Sequence, residues 1–263
     1  MVDIECVGVW DTVGSLGIPG DIGKQLFKGR YSFHDVQLGS NVRVALHAIA
    51  IDEKRGPFAP TLWVSPTGEP RHEKQIVEQV WFPGAHSNVG GSYPDTVLSD
   101  ITFDWMVQRV VHHTKLALNW KPSSATANKT ANGVGIDSRT KLYLVSRLFP
   151  YQRIINGHVP PGGGLGGWIR DAFESIDRRY APPNGLKTIN EALHLSALDR
   201  WKYGPVPNDC KNPRGCSSTY YRPATLATVV ATQGIPLVDW AGNPVPPRNA
   251  ARHWPAPIQA PPP

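Results

Sequence analysis

Asp11 and His86 are the two side chains in this sequence best placed to act together as an acid and a base. Asp11 ends the nearly continuous apolar run Ile4 to Trp10, which is β-branched at Ile4, Val7 and Val9 and reads as a strand covered on both faces, as in a parallel sheet. His86 follows a second strand pattern, Gln75 to Phe82, which Pro83-Gly84 breaks. In open parallel α/β sheets the loops at the carboxyl ends of strands converge on one crevice, so an Asp and a His at two strand tips can meet. A carboxylate there would fix the imidazole tautomer and stabilise the imidazolium formed when His takes a proton from a nucleophile. Taken alone the pairing is unspecific. With 21 acids and 9 histidines in the chain, a capping Asp and a hydrogen-bonded loop His is the plainer reading.

A nucleophile is harder to find. The chain contains no G-x-S-x-G elbow. Ser15 and Ser87 are hydroxyls near Asp11 and His86, but neither lies on a strand-to-helix elbow. Cys6 sits inside the first strand and reads as a core residue, not a thiolate. His47, Asp52, Glu53 and Arg55 read as structural, through a helix-end ion pair and buried hydrogen bonds, with substrate contact as the alternative. His72 and His112-His113 lack the spacing of a metal site, so neither a metal nor a cofactor is expected. The glycines at 162–167 do not follow a strand or match a phosphate-cradling spacing, and read as a linker.

The elements that must position these groups are of an α/β kind. Asn41 to about Glu53 is compatible with a short helix ended by Gly56-Pro57 and Pro60. Ser99 is expected to cap a helix with Asp100 in its first turn and Phe103, Met106, Val107, Val110 and Val111 on its apolar face. Residues 123–135 read as an exposed excursion, 138–149 as a helix, and Thr188 with Glu191 as a capping box for a helix over 189–201. After Gln233 the chain becomes proline-dense and reads as a poorly ordered or polyproline-type tail. The expected organisation is a core over 1–118, an irregular and partly helical extension over 119–232, and a Pro-rich tail over 233–263.

Composition bounds the function classes. At 263 residues and 40% apolar content, with nine Trp, the chain can build a sizeable core. Its 25 Gly and 26 Pro imply long loops and exclude a coiled coil. A net charge of +6 and a pI near 9.3 would favour anionic partners, but Lys and Arg are scattered and no nucleic-acid-binding motif is present, so nucleic acid is not an expected partner. No apolar run is long enough to span a membrane, and no leader is readable at Met1, which leads to an expectation of a cytoplasmic protein in the producing cell. Cys6, Cys210 and Cys216 are too few for a disulfide scaffold and fit a reducing compartment, although Cys210 and Cys216 could close a tight loop.

Several ordered blocks resemble a known family. Val7-Gly8-Val9-Trp10-Asp11-Thr12-Val13-Gly14, His47-Ala48-Ile49-Ala50-Ile51-Asp52-Glu53-Lys54-Arg55 and Gln79-Val80-Trp81-Phe82-Pro83-Gly84-Ala85-His86-Ser87 closely resemble the DUF2235 family of α/β-hydrolase domains. That family includes the Tle1-type phospholipase effectors of the type VI secretion system. The resemblance is strong over 3–112 and weaker over 185–226. It implies a partial α/β-hydrolase-like fold, comprising the late strands of the parallel sheet with their helices and lacking the N-terminal strands and nucleophile elbow. It makes Asp11 the acid and His86 the base of a Ser-Asp-His triad whose Ser is not encoded here. Negligible esterase activity is then expected of the polypeptide alone, because the attacking hydroxyl and the main oxyanion donor are both missing. Asn88 and Ser92 depart from the family's usual Asp and Gly. The implied partners are a lipid or other ester substrate and a complementary N-terminal hydrolase segment, with type VI secretion as the delivery route. A non-catalytic lipid- or partner-binding remnant and one half of a split hydrolase are the alternatives.

Overall fold

A computed structural model describes residues 2–13, 38–55, 58–138, 152–158, 185–208 and 217–255. The core is a five-stranded parallel sheet with helices. Its strands are β1 (Ile4–Trp10), β2 (Val42–Ala50), β4 (Ile76–Phe82), β6 (Glu191–His194) and β9 (Leu237–Val238), and they lie side by side in that order. Two short antiparallel ribbons lie outside it among the described residues: β3 (Val64–Ser65) with β5 (Lys187–Thr188), and β7 (Val206–Asn208) with β8 (Ser217–Thr219).

The segment 41–53, expected as a helix, is the strand β2. Its sequence VRVALHAIA is apolar almost throughout, a pattern that a helix and a strand share when both faces are buried. The strand wins because β1 and β4 pair with it on either side and helices cover the sheet, so every residue from Val44 to Ala50 is buried. By contrast β1, expected to be covered on both faces, lies at the edge of the sheet with Ile4 39% exposed, and among the described residues only β2 pairs with it.

Helix α1 (His86–Gly90) and helix α2 (Val97–His113) follow β4. Thr96, not Ser99, is the cap position of α2. The buried stripe of α2 is Leu98, Ile101, Trp105 and Met106, whereas Phe103 and Val111, expected to face the core, are 52% and 42% exposed. Polar side chains occupy part of the buried face instead. Asp104 accepts hydrogen bonds from Trp120 Nε1 (2.9 Å) and Ser123 N (2.8 Å), and Arg109 pairs with Glu78 of β4 (2.6 Å). At the contact with β1, Gly8 leaves room for Met106, whose sulfur would lie 2.8 Å from a Cβ there.

The expected excursion at 123–135 contains the short helix α3 (Ser124–Ala127), with Ala125, Thr126 and Ala131 buried. The proposed capping box at Thr188 fails because Glu191 opens strand β6. Its carboxylate accepts from Thr188 Oγ1 (2.5 Å), Trp81 Nε1 (2.7 Å) and Asn156 N (2.9 Å), and the helix α4 (Leu195–Lys202) begins only after His194. Over 233–255 the expected loose tail is instead part of the core. After α5 (Ala224–Thr232), β9 closes the far edge of the sheet, and Trp240 and Trp254 are buried. Short helical turns, α6 (Pro247–Ala250) and Ala251–His253, end the described chain. Ser15, Cys210, Cys216, the glycines at 162–167 and nearly all of the helix expected at 138–149 lie outside the described residues.

Candidate active site

The carboxyl ends of β1 and β4 bring Asp11 and His86 together. His86 Nδ1 lies 2.7 Å from Asp11 Oδ2, with the single strand β2 between the two strands that carry them. Asp11 is fully buried, while the His86 ring is 29% exposed. The Asp11 backbone is held in the left-handed region at φ 43°, a conformation that an Asp tolerates better than most residues and that persists only where its surroundings fix it. Here its N–H donates to the Ala48 carbonyl (2.7 Å) and its Oδ1 accepts from the Ala50 N–H (2.9 Å).

A third residue completes the arrangement, and sequence reasoning missed it. Arg153, fully buried, forms a two-pronged ion pair with Asp11, Nη1 to Oδ1 and Nη2 to Oδ2 (2.9 Å). The same guanidinium donates to the carbonyls of Ala50 (2.6 Å) and Phe58 (2.7 Å). Burial pushes the Asp11 carboxyl upward, but the Arg153 charge and the hydrogen bonds from His86, Arg153 and Ala50 outweigh it and hold the group well below the ordinary carboxylate range. Asp11 is therefore ionised whenever the protein is folded near neutrality. Only proximity in space connects Arg153 to the pair.

The residues around His86 fix its approach. Glu53 Oε2 accepts the His86 N–H (3.3 Å), and the Phe58 ring meets the imidazole edge-on at 5.3 Å between centroids. Glu53 is itself held by Arg55 (2.8 Å) and by Ser138 Oγ (2.8 Å), and the Arg55 guanidinium lies over Phe58 at 3.6 Å. The expected Glu53 and Arg55 ion pair thus exists, at a strand end and not a helix end. His47 is buried in β2, where its Nε2 accepts from the Thr12 N–H (3.2 Å) and anchors the turn that carries Asp11. Burial pushes its pKa down to about 4 against the pull of Asp11 and Gln79, so it is a neutral acceptor. Cys6 is half-buried against the core, and burial pushes its thiol up, away from reactivity. Ser87 lies in the first turn of α1. No group of three or more metal-ligating side chains occurs among the described residues, and His72 and His113 bond instead to Ser40 O (3.2 Å) and Glu78 (2.7 Å).

Asn88 has a clear physical role. Its Oδ1 accepts from Ala85 N and Ile136 N, both at 3.2 Å, and its Nδ2 donates to Val134 O (3.0 Å), tying the start of α1 to the segment after α3. Gly84, at φ 116°, lets this residue close in, because a Cβ at 84 would lie 2.5 Å from that of Asn88. A carboxylate at 88 could accept both bonds but could not donate to Val134. Asn88→Asp is therefore expected to cost about 1–3 kcal/mol in urea unfolding through one orphaned carbonyl and a buried charge. Unchanged stability would show that the amide donor carries no weight.

Residues 1–109 match the family model for the catalytic domain of Tle1-like phospholipase effectors of the type VI secretion system. The resemblance read from the sequence blocks therefore holds over that stretch. No curated protein and no solved structure gives a match. No helix among the described residues is long and apolar enough to cross a membrane.

Proposed function

From the kinship of residues 1–109 with the Tle1-like catalytic domains, we propose that this chain supplies the acid and the base of a serine carboxylester hydrolase acting on lipid acyl esters. The observation that carries the reading is the contact between His86 Nδ1 and a buried, ionised Asp11 (2.7 Å). With Nδ1 held by the carboxylate, Nε2 is the ring nitrogen left to accept a proton from an attacking hydroxyl and to return it to the leaving alcohol. Asp11 would stabilise the imidazolium between the two transfers without taking the proton itself.

The hydroxyl is the missing element, since the sequence has no G-x-S-x-G elbow. In our reading the parallel sheet is the later part of a hydrolase sheet, completed by a segment that carries the Ser and pairs along the side of β1 that no described strand occupies. Two features favour that side. Among the described residues β1 is an edge strand whose tip bears Asp11, and a cavity of about 310 Å³ beside it is lined by Trp10, Val89, Gly90, Gly91 and Phe103 together with the polar Ser99 and Asp100. A strand edge that no described strand pairs with, with Ile4 and Phe103 exposed on β1 and near its tip, is a template for another strand. Whether the segment is part of a longer form of the same polypeptide or of a second chain, the acid and base act identically.

Fluorophosphonate labelling tests this reading directly. The chain alone is expected to remain unlabelled, and a form joined to or mixed with an elbow-bearing hydrolase segment is expected to label at that Ser in a His86-dependent manner. Labelling of the chain alone would place a nucleophile within it and overturn the proposal. Binding to lipid vesicles without labelling in any form would favour the non-catalytic remnant.

A further inference from the structure

A second cavity, of about 390 Å³, is lined in part by Gly84 and Ala85, the two residues that precede His86 in the chain. Three cations line it: Lys54 from the segment after β2, Arg200 from α4 and Arg222 from the turn before α5. Among the described residues none of the three is in an ion pair. Arg200 is the telling one. It is 1% exposed, its Nη1 donates to the carbonyls of Ala131 (2.6 Å) and Gly133 (2.8 Å), and its Nε–H is buried with no partner. Burial works against the Arg200 charge, and Tyr221, Asp52 and Asp95 favour it only from beyond ion-pair distance, so the fold keeps a buried guanidinium here that no described carboxylate contacts.

The carboxylates that face the cavity are Asp52 and Asp137. Asp52 is already engaged, accepting from the Gly84 N–H (2.7 Å) and the Tyr221 hydroxyl (3.1 Å). Arg222 lies at the rim, its guanidinium 4.4 Å above the Trp201 ring and 5.6 Å from that of Tyr220, with Nη1 donating to the carbonyls of Trp201 and Tyr221. Two guanidinium groups and an ammonium around one opening suit a tetrahedral anion with several oxygens, which can accept from all three. The volume exceeds what an inorganic phosphate alone would fill.

We propose that this cavity is a phosphate subsite that takes the phosphodiester of a lipid headgroup and so places the neighbouring acyl ester toward His86. The subsite rests on the hydrolase reading above for its purpose, but not for its chemistry. Arg200 supplies the buried charge, and Lys54 and Arg222 close on the anion from the solvent side.

Calorimetry or phosphorus NMR on the full chain, with inorganic phosphate and with glycerophosphoglycerol as soluble probes, tests it without any turnover. Saturable binding of the diester is expected, weakened roughly tenfold or more by Arg222→Gln or Lys54→Gln and largely kept by Arg222→Lys, with circular dichroism unchanged in all three. Both substitutions are at exposed positions, so loss of binding is separable from loss of fold. Binding of inorganic phosphate alone would overturn the lipid-headgroup assignment, and equal affinity in the wild-type and Gln variants would overturn the subsite. Diester binding as expected, in a protein that never labels with fluorophosphonate when joined to an elbow segment, would support the subsite while removing the acid–base reading.

Discussion

Asp11→Asn is expected to lower the unfolding free energy by about 3–5 kcal/mol, although it removes no atom from the core. The side chain keeps its shape and its Oδ1 can still accept a hydrogen bond, but it leaves the Arg153 charge fully buried with only neutral partners, the new amide and the carbonyls of Ala50 and Phe58. Arg153→Met is expected to cost a comparable amount for the mirror reason, because the Asp11 charge then has only His86 and the Ala50 N–H to hold it. The double variant Asp11→Asn with Arg153→Met is the sharper measurement. Once both charges are gone no ion is left stranded, so its cost should fall well short of the sum of the two single costs. Urea unfolding at neutral pH gives all three values. Strict additivity would mean that the two side chains do not stabilise one another, and the reading of Asp11 as a carboxylate held ionised by Arg153 would go with it.

Acid should unfold the protein well above the pH at which exposed carboxylates titrate. His47 and His194 are both fully buried, and burial pushes their pKa values down to about 4 and about 3, against weaker opposing pulls from Asp11 and Gln79 on the first and from backbone carbonyls at 239 and 240 on the second. Both rings are neutral in the fold, whereas in the unfolded chain they take up protons below about 6.5. The unfolded state thus binds more protons, and the stability these groups contribute is complete above pH 6.5 and is lost as pH falls toward 4 and 3. With about 1.4 kcal/mol per pKa unit, each histidine removes roughly 3 kcal/mol by pH 4, a large share of the stability of an ordinary domain. Asp11, with its pKa depressed, adds a loss in the same direction only below about pH 4. Urea midpoints between pH 7.5 and 4.5 should therefore fall steeply, and His47→Gln should reduce the slope by about half. A flat profile over that window would contradict the neutral, buried state of the two rings.

How much of this could be read from the sequence depends on whether the information is local. Ile4–Trp10 and Ile76–Phe82 announce themselves as strands because β-branched apolar runs end at turn residues, and the residues at their tips follow at once. Val42–Ala50 is misread because a strand buried on both faces has no alternation, and only its two neighbours decide the matter. Leu237–Val238 and the buried Trp240 and Trp254 are hidden by prolines, which signal loop wherever they fall although the chain between them can still pair and pack. On α2 the apolar spacing finds Met106 and Val107, which are buried, and Val110, which packs on the core, but it also points to Phe103 and Val111, which are exposed because buried hydrogen bonds and an ion pair at Asp104 and Arg109 rotate the inward face away from them. Arg153 is the extreme case. A lone arginine between unremarkable neighbours has no periodicity or motif, and its meaning comes wholly from a carboxylate distant in the chain.

That separation also orders events during synthesis. The strands lie across the sheet in the sequence in which the ribosome delivers them, so each new strand meets a partner already made. The tips of β1 and β4, and with them Asp11 and His86, emerge early, but at roughly 5–20 residues per second the guanidinium that neutralises Asp11 follows several seconds later. Until it arrives, burying the carboxylate would leave its charge without that partner. The ion pair that holds the Asp11 charge in the core therefore exists only in a chain translated past Arg153.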